Sequence, residues 1–199
     1  VKVTEESFLK DVGKHAMTVL RDDGVYRHLH FAIPGSGHMH FDVVTYPHYL
    51  CYSGDMGCYV FSRIDDMFQF FRGKEAGPLR INEGYWSEKL EATSKTDGHY
   101  EYSSEKLESH VKEWLDDVEA DDELRDRIKD EVLNYSQDGE HPARQAMFDF
   151  KYEKRHPFQE SWECNFSEYT HRFIWCCYAI AWGIRQYDLS KATVQTVPG

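Results

Sequence analysis

Apolar positions change their spacing several times along the chain, and each change predicts an element. The opening run "TEESFLKDVGKHAMTVL" sets Phe8, Val12, His15/Ala16 and Leu20 at helical intervals. Thr4 stands in front as an N-cap, with Glu5 and Glu6 in the first turn, so one amphipathic helix is expected as far as "RDDG". A period of two then takes over. Alternation rich in β-branched and aromatic residues predicts strands near 25–33, 38–46, 48–53 and 58–62, broken by Pro34–Gly37, by Pro47 and by "GDMG". In "SRIDDMFQFFR" the period turns helical again through Ile64, Met67, Phe68 and Phe71, and Ser62 with Asp65 resembles a capping box.

Residues 73–100 are polar and glycine-rich, with at most a short helix around 85–93, and read as a connection. Helical stripes follow. Leu107, Val111, Trp114, Leu115 and Val118 form one, and Leu124, Ile128, Val132 and Tyr135 another. A third helix is expected over 142–152, and a long one capped by Ser167 runs to about 188. The fold class is therefore α+β: an N-terminal helix and small antiparallel sheet in residues 1–75, then a mainly helical half in 76–199 packed against it as one unit.

The strand pattern fixes which side chains share a face. Leu29, Phe31 and Ile33 alternate on one side of the first strand, and Met39, Phe41 and Val43 on one side of the second. Directly opposed residues of paired strands share a face, so burying both sets together drives His28, His30, His38, His40 and Asp42 to the other. Several imidazoles beside a carboxylate could hold a divalent metal. The run "HMHFD" partly matches the H-x-H-x-D-H motif of metallo-β-lactamase-type hydrolases, but Val43 stands where the final His belongs. The competing reading is a half-solvated sheet face with no chemistry. No bound metal and no cofactor are expected.

The other chemical signals are weaker. Asp55 sits between glycines in "SGDMG", which reads first as a hairpin loop that presents Asp55 and Met56 outward. The five cysteines (Cys51, Cys58, Cys164, Cys176, Cys177) form no C-x-x-C pair, which fits a reducing compartment. Cys176 and Cys177 lie in the most apolar segment, where a thiolate is disfavoured. In "HPFQESWECNF" no spacing matches a known ligand set, and its Phe and Trp are read as loop anchors. Neither a P-loop nor a G-x-S-x-G elbow occurs, and no leader-like segment opens the chain. The apolar run Phe173–Ile184 is too short, at roughly 1.5 Å per residue, for a bilayer core of about 30 Å, so a buried helix is expected and no membrane contact.

Charge changes the picture more than any motif. The 199 residues carry a net charge of −12, which disfavours direct nucleic-acid binding. Residues 101–140 hold 15 Asp and Glu against 5 Lys and Arg. The densest carboxylates are Glu113, Asp116, Asp117, Glu119, Asp121, Asp122 and Glu123. They form either a solvated outer face or a surface for a partner with a basic groove.

Two stretches, "FDVVTYPHYLCYSGDMGCYVFSRIDDMFQFFR" (41–72) and "YTHRFIWCCYAIAWGIRQYD" (169–188), resemble a family of phage and prophage accessory proteins. These share a G-D-M-G-x-Y-V-F-x-R core and a late Trp/Tyr-rich helix. The matching positions are Gly54, Asp55, Met56, Gly57, Tyr59, Phe61 and Arg63. The resemblance covers about half the chain and implies an origin, in the cytoplasm of a bacterial host cell, with no mechanism attached. Proteins of that origin often block host defence machinery. The leading expectation is thus an anti-CRISPR-like inhibitor that engages a host protein or ribonucleoprotein complex with a basic groove, through the seven carboxylates together with Asp55 and Met56. The alternative is a metal-dependent or nucleotide-processing enzyme using the histidine face. A third is a replication or morphogenesis component with neither activity.

Overall fold

The structure, a computed structural model, describes residues 2–74, 76–96 and 98–195. The chain forms two compact units, one of Val1–His99 with Tyr169–Gly199 and one of Tyr100–Glu168. The division expected near residue 75 is therefore corrected. The second unit is an insertion in the first, and the chain returns after it to complete the first core.

In the first unit, α1 (Glu5–Val12) is shorter than expected. Thr4 and Ser7 cap it reciprocally: Thr4 Oγ1 accepts from the Ser7 amide at 3.2 Å and Ser7 Oγ from the Thr4 amide at 3.0 Å. The helix stops at Gly13, and β1 (Ala16–Asp23) follows where helix had been expected. The helical spacing of His15/Ala16 and Leu20 was coincidental. Only Met17 of β1 is even half-buried, so this edge strand leaves almost no alternating trace.

From there β2 (Tyr26–Ala32), β3 (Phe41–Tyr46), β4 (Tyr49–Gly54), β5 (Gly57–Ser62) and β6 (Leu90–Thr93) continue an antiparallel meander in sequence order. β6 lies where a helix was expected. The helical turn there is α3 (Glu83–Ser87). Another short helix, α2 (Met67–Phe71), is capped by Asp66 rather than Ser62.

Where β2 and β3 pair, the apolar residues share one face as expected, while Ile33 and Met39 lie in the turn beyond the strands and are only half-buried. Phe31 pairs with Phe41, Leu29 with Val43 and His30 with Asp42. Leu29, Phe31, Phe41, Val43, Leu50, Tyr52, Tyr59 and Phe61 are fully buried on one face. That face is covered by α7 (His171–Gln195), which starts behind Thr170 rather than Ser167: Thr170 Oγ1 accepts from the Phe173 amide at 3.2 Å. Gly183 lets α7 approach the sheet, because a Cβ there would lie 3.0 Å from the Phe31 ring. Phe8 of α1 meets Trp175 of α7 edge-on at 5.0 Å. No helix among the described residues is long and apolar enough to cross a membrane.

The inserted unit is entered through β7 (Tyr100–Tyr102) and left through β8 (Ser167–Tyr169), which pair as a two-stranded sheet. Between them run α4 (Ser104–Asp117), α5 (Asp122–Glu131), a 3-10 turn at Leu133–Tyr135, and α6 (Glu140–Asp149). Leu107, Val111, Leu115, Leu124, Ile128 and Val132 supply the expected stripes and join Ala143, Met147, Phe150, Phe158 and Phe166 in a separate core. Val118 and Tyr135, the last members of their stripes, instead face solvent.

Candidate functional site

The three sequence candidates fare differently. Asp42 is shared by two imidazoles on the outer face of the sheet: His28 Nε2 lies 2.7 Å from Oδ1, and His30 Nδ1 lies 3.2 Å from both oxygens. His40 precedes β3 but stays on the same side, its ring 6.1 Å from that of His30. Its own partners are Asp55 Oδ1 at 3.2 Å and the Gly37 carbonyl at 2.9 Å. His38 departs from the expected set. It sits exposed in the turn before β3, so the strand begins at Phe41 rather than at 38. Among the described residues no three His, Cys, Asp or Glu side chains are arranged to hold a metal ion. The Asp42 carboxylate is spent on orienting imidazoles.

Asp55 and Met56 form a two-residue turn between the paired Gly54 and Gly57, tighter than the four-residue loop expected. The turn is tied inward. Asp55 Oδ2 accepts from the Met39 amide at 2.7 Å, the Asp55 amide donates to the His40 carbonyl at 3.2 Å, and the Met56 carbonyl accepts from Cys176 Sγ at 3.5 Å. Gly54 is demanded by that closeness, since a Cβ would fall 2.3 Å from the His40 carbonyl oxygen. These contacts account for the G-D-M-G spacing by local packing.

The acidic residues converge. Of the net charge of −12, the inserted unit carries 20 acidic against 9 basic residues, while the rest of the chain is nearly balanced at 15 against 14. Asp116, Asp117, Glu119, Asp121, Asp122 and Glu123 crowd the junction of α4 and α5, with Glu113 one turn earlier, and all seven are exposed. Two have structural work. Asp121 caps α5, accepting from the Leu124 amide at 2.9 Å, and Asp116 pairs with Arg125 at 3.1 Å. Asp122 and Glu123 lie in the first turn of α5, where the helix dipole favours negative charge. Asp116 and Asp117 end α4, where it favours positive charge, and the last turn of α4 has no basic residue. Val118 stands exposed among these carboxylates.

Comparison with protein-family models, with curated proteins and with solved structures finds no match. The functional reading therefore rests on the chain's own geometry.

A pair the sequence reading missed lies in the inserted unit. Cys164 Sγ is 4.0 Å from His110 Nε2. The two are 54 positions apart and share no motif, so only the packing of the segment after α6 against α4 reveals the pair. A cavity of about 70 Å³ between the loop after α2 and α7 is braced internally: Arg72 forms a bidentate pair with Asp188 at 2.8 and 3.0 Å, and Arg185 holds the carbonyls of Lys74, Gly77 and Pro78.

Proposed function

We propose that this chain is a binding protein whose inserted helical unit offers the α4–α5 junction to a basic groove on another macromolecule. The observation that carries the reading is Asp117 at the negative end of α4, where its neighbour Asp116 is offset by Arg125. Its placement costs the helix stability, and local rules broken at an exposed surface are expected where function requires it. Val118, exposed between Asp117 and Glu119, adds one apolar side chain to this surface. The narrower reading, an inhibitor of a host defence complex of phage origin, is supported by the sequence resemblance and by the basic channels of RNA-guided nucleases.

The test reverses Asp117, Glu119, Asp122 and Glu123 to Lys, sparing the capping Asp121 and the paired Asp116. A purified RNA-guided DNA nuclease serves as the basic-groove probe. Wild type should bind it and slow cleavage, with association falling as salt rises, because such charges are screened over about 8 Å at physiological ionic strength. The reversed variant should fold normally and lose both effects. A variant that binds as wild type does, or a wild-type protein that never engages the probe, overturns the corresponding half of the reading. Separate substitution of Asp55 and Met56 is the control for the turn.

A further inference from the structure

The geometry points to Cys164 and His110 as a thiol–imidazole pair that makes Cys164 a nucleophile toward cationic thioesters. This goes beyond the acidic-face reading and does not depend on it.

The pair is built rather than incidental. Arg144, buried in the inserted unit, donates through Nη1 to the Ser161 carbonyl and through Nη2 to the Cys164 carbonyl at 2.9 Å, and so fixes both ends of the turn that carries the thiol. Its guanidinium also stacks over Phe166, 4.7 Å from the ring centroid, and the His110 ring packs on Phe166 at 5.6 Å. One aromatic side chain thus seats the supports of both partners. Cys164 Sγ has two acceptors in reach, the Glu160 carbonyl at 3.7 Å and His110 Nε2 at 4.0 Å. Only the second can take the proton away.

Thiol and imidazole open into a groove of about 550 Å³. Glu105, Glu113 and Glu168 line it against one cation, Lys106, whose ammonium donates to the Ser167 carbonyl. A net negative wall favours a positively charged substrate. The other thiols are poorer candidates. Cys176 and Cys177 are fully buried, and Cys51 is pushed up to about 11 by burial, with the neighbouring Cys58 adding to the effect.

The step balances within the pair. His110 Nε2 takes the proton from Cys164 Sγ, and the thiolate attacks the thioester carbonyl carbon. A new S–C bond forms, the bond to the departing sulfur breaks with its electron pair, and the leaving thiolate recovers the proton from the His110 imidazolium. The acyl group then rests on Cys164.

Three measurements test this on the whole chain. Alkylation by limiting iodoacetamide, mapped by peptide mass spectrometry, should be faster at Cys164 in the folded protein than in urea, since folding can only hinder access unless it also activates the thiol. His110→Gln, with unchanged circular dichroism, should slow labelling of Cys164 at least about tenfold. The rate of Cys164 acetylation by acetylthiocholine relative to uncharged ethyl thioacetate should be higher in the folded protein than in urea, where leaving-group reactivity alone sets the ratio. Slower labelling of Cys164 in the folded protein than in urea overturns the activated thiol without any variant. An unchanged rate in folded His110→Gln overturns the pair, and the same ratio between the two thioesters in the folded protein as in urea overturns the charge preference.

Discussion

Asp117→Lys should stabilise the inserted unit while weakening its binding, and the two effects together test whether the acidic junction is kept for a partner. Asp117 is the last residue of α4 and is exposed. A single charge at a helix end contributes about 0.3–1 kcal/mol, so reversing its sign changes the dipole term by about 0.6–2 kcal/mol, with an exposed site at the lower end. Glu113 lies four residues earlier, and turning that repulsion into attraction adds about 0.3 kcal/mol. The total is about 1 kcal/mol, or roughly a fivefold change in a local opening equilibrium. Amide hydrogen exchange reads it directly. The Val118 amide, bonded to the Trp114 carbonyl at 3.1 Å, should exchange about fivefold more slowly in the variant. Asp122→Lys makes the same change in net charge at the favourable end of α5, so exchange of the Arg125 amide, bonded to the Asp121 carbonyl at 3.1 Å, should quicken instead. Shifts of the same sign in the two variants would show that total charge, not position on the helix, governs stability, and the argument from α4 would fail.

Gly54→Ala should cost about 3 kcal/mol in urea unfolding, because the added carbon meets the His40 carbonyl oxygen at 2.3 Å, Phe41 Cα at 2.8 Å and Phe41 Cβ at 2.9 Å, and β3 and β4 must part to admit it; a cost below about 1 kcal/mol would refute the close-approach account. Asp66 forms a bidentate pair with Arg27, whose side chain is 10% exposed, so Asp66→Asn should lose about 3–5 kcal/mol by leaving that guanidinium without its counter-charge. Burial alone would raise the Asp66 carboxyl, but the hydrogen bonds from Arg27 and the Phe68 amide outweigh it and hold the group below its ordinary value. Its contribution is therefore present above the unfolded value of about 4 and lost as pH falls through the folded one, and Asp66→Asn should flatten that part of the acid unfolding curve. Calorimetric titration with zinc should give no stoichiometric binding at His28, His30 and Asp42, since both Asp42 oxygens already face imidazoles; a one-to-one isotherm lost in His30→Ala would refute this.

What the sequence made legible follows from burial contrast. β2 and β3 bury alternate residues completely, so Leu29, Phe31, Phe41 and Val43 announced their register. β1 buries almost nothing and β6 is short and exposed, so period-two reasoning had no signal to use. The insertion was hidden for another reason. A helix that is apolar nearly all round, as α7 is from Phe173 to Ile184, declares that it is covered but not by what. For the site, the carboxylates were visible as composition, whereas their position at the wrong end of α4 required the helix boundary at Asp117. Cys164 and His110 meet only through tertiary packing.

The late return of the chain sets a clock on synthesis. The meander through β5 is complete in sequence at Ser62, yet the helix that covers its apolar face begins at His171. At about 5–20 residues per second, a ribosome needs roughly 5–20 s to deliver that cover. During this interval Phe31, Phe41, Tyr52, Tyr59 and Phe61 face outward from a nascent sheet, while the charged insert emerges beside them. An unfinished chain is thus at its stickiest just as its most self-repelling segment is made, and truncation before residue 171 should leave a product that aggregates rather than folds.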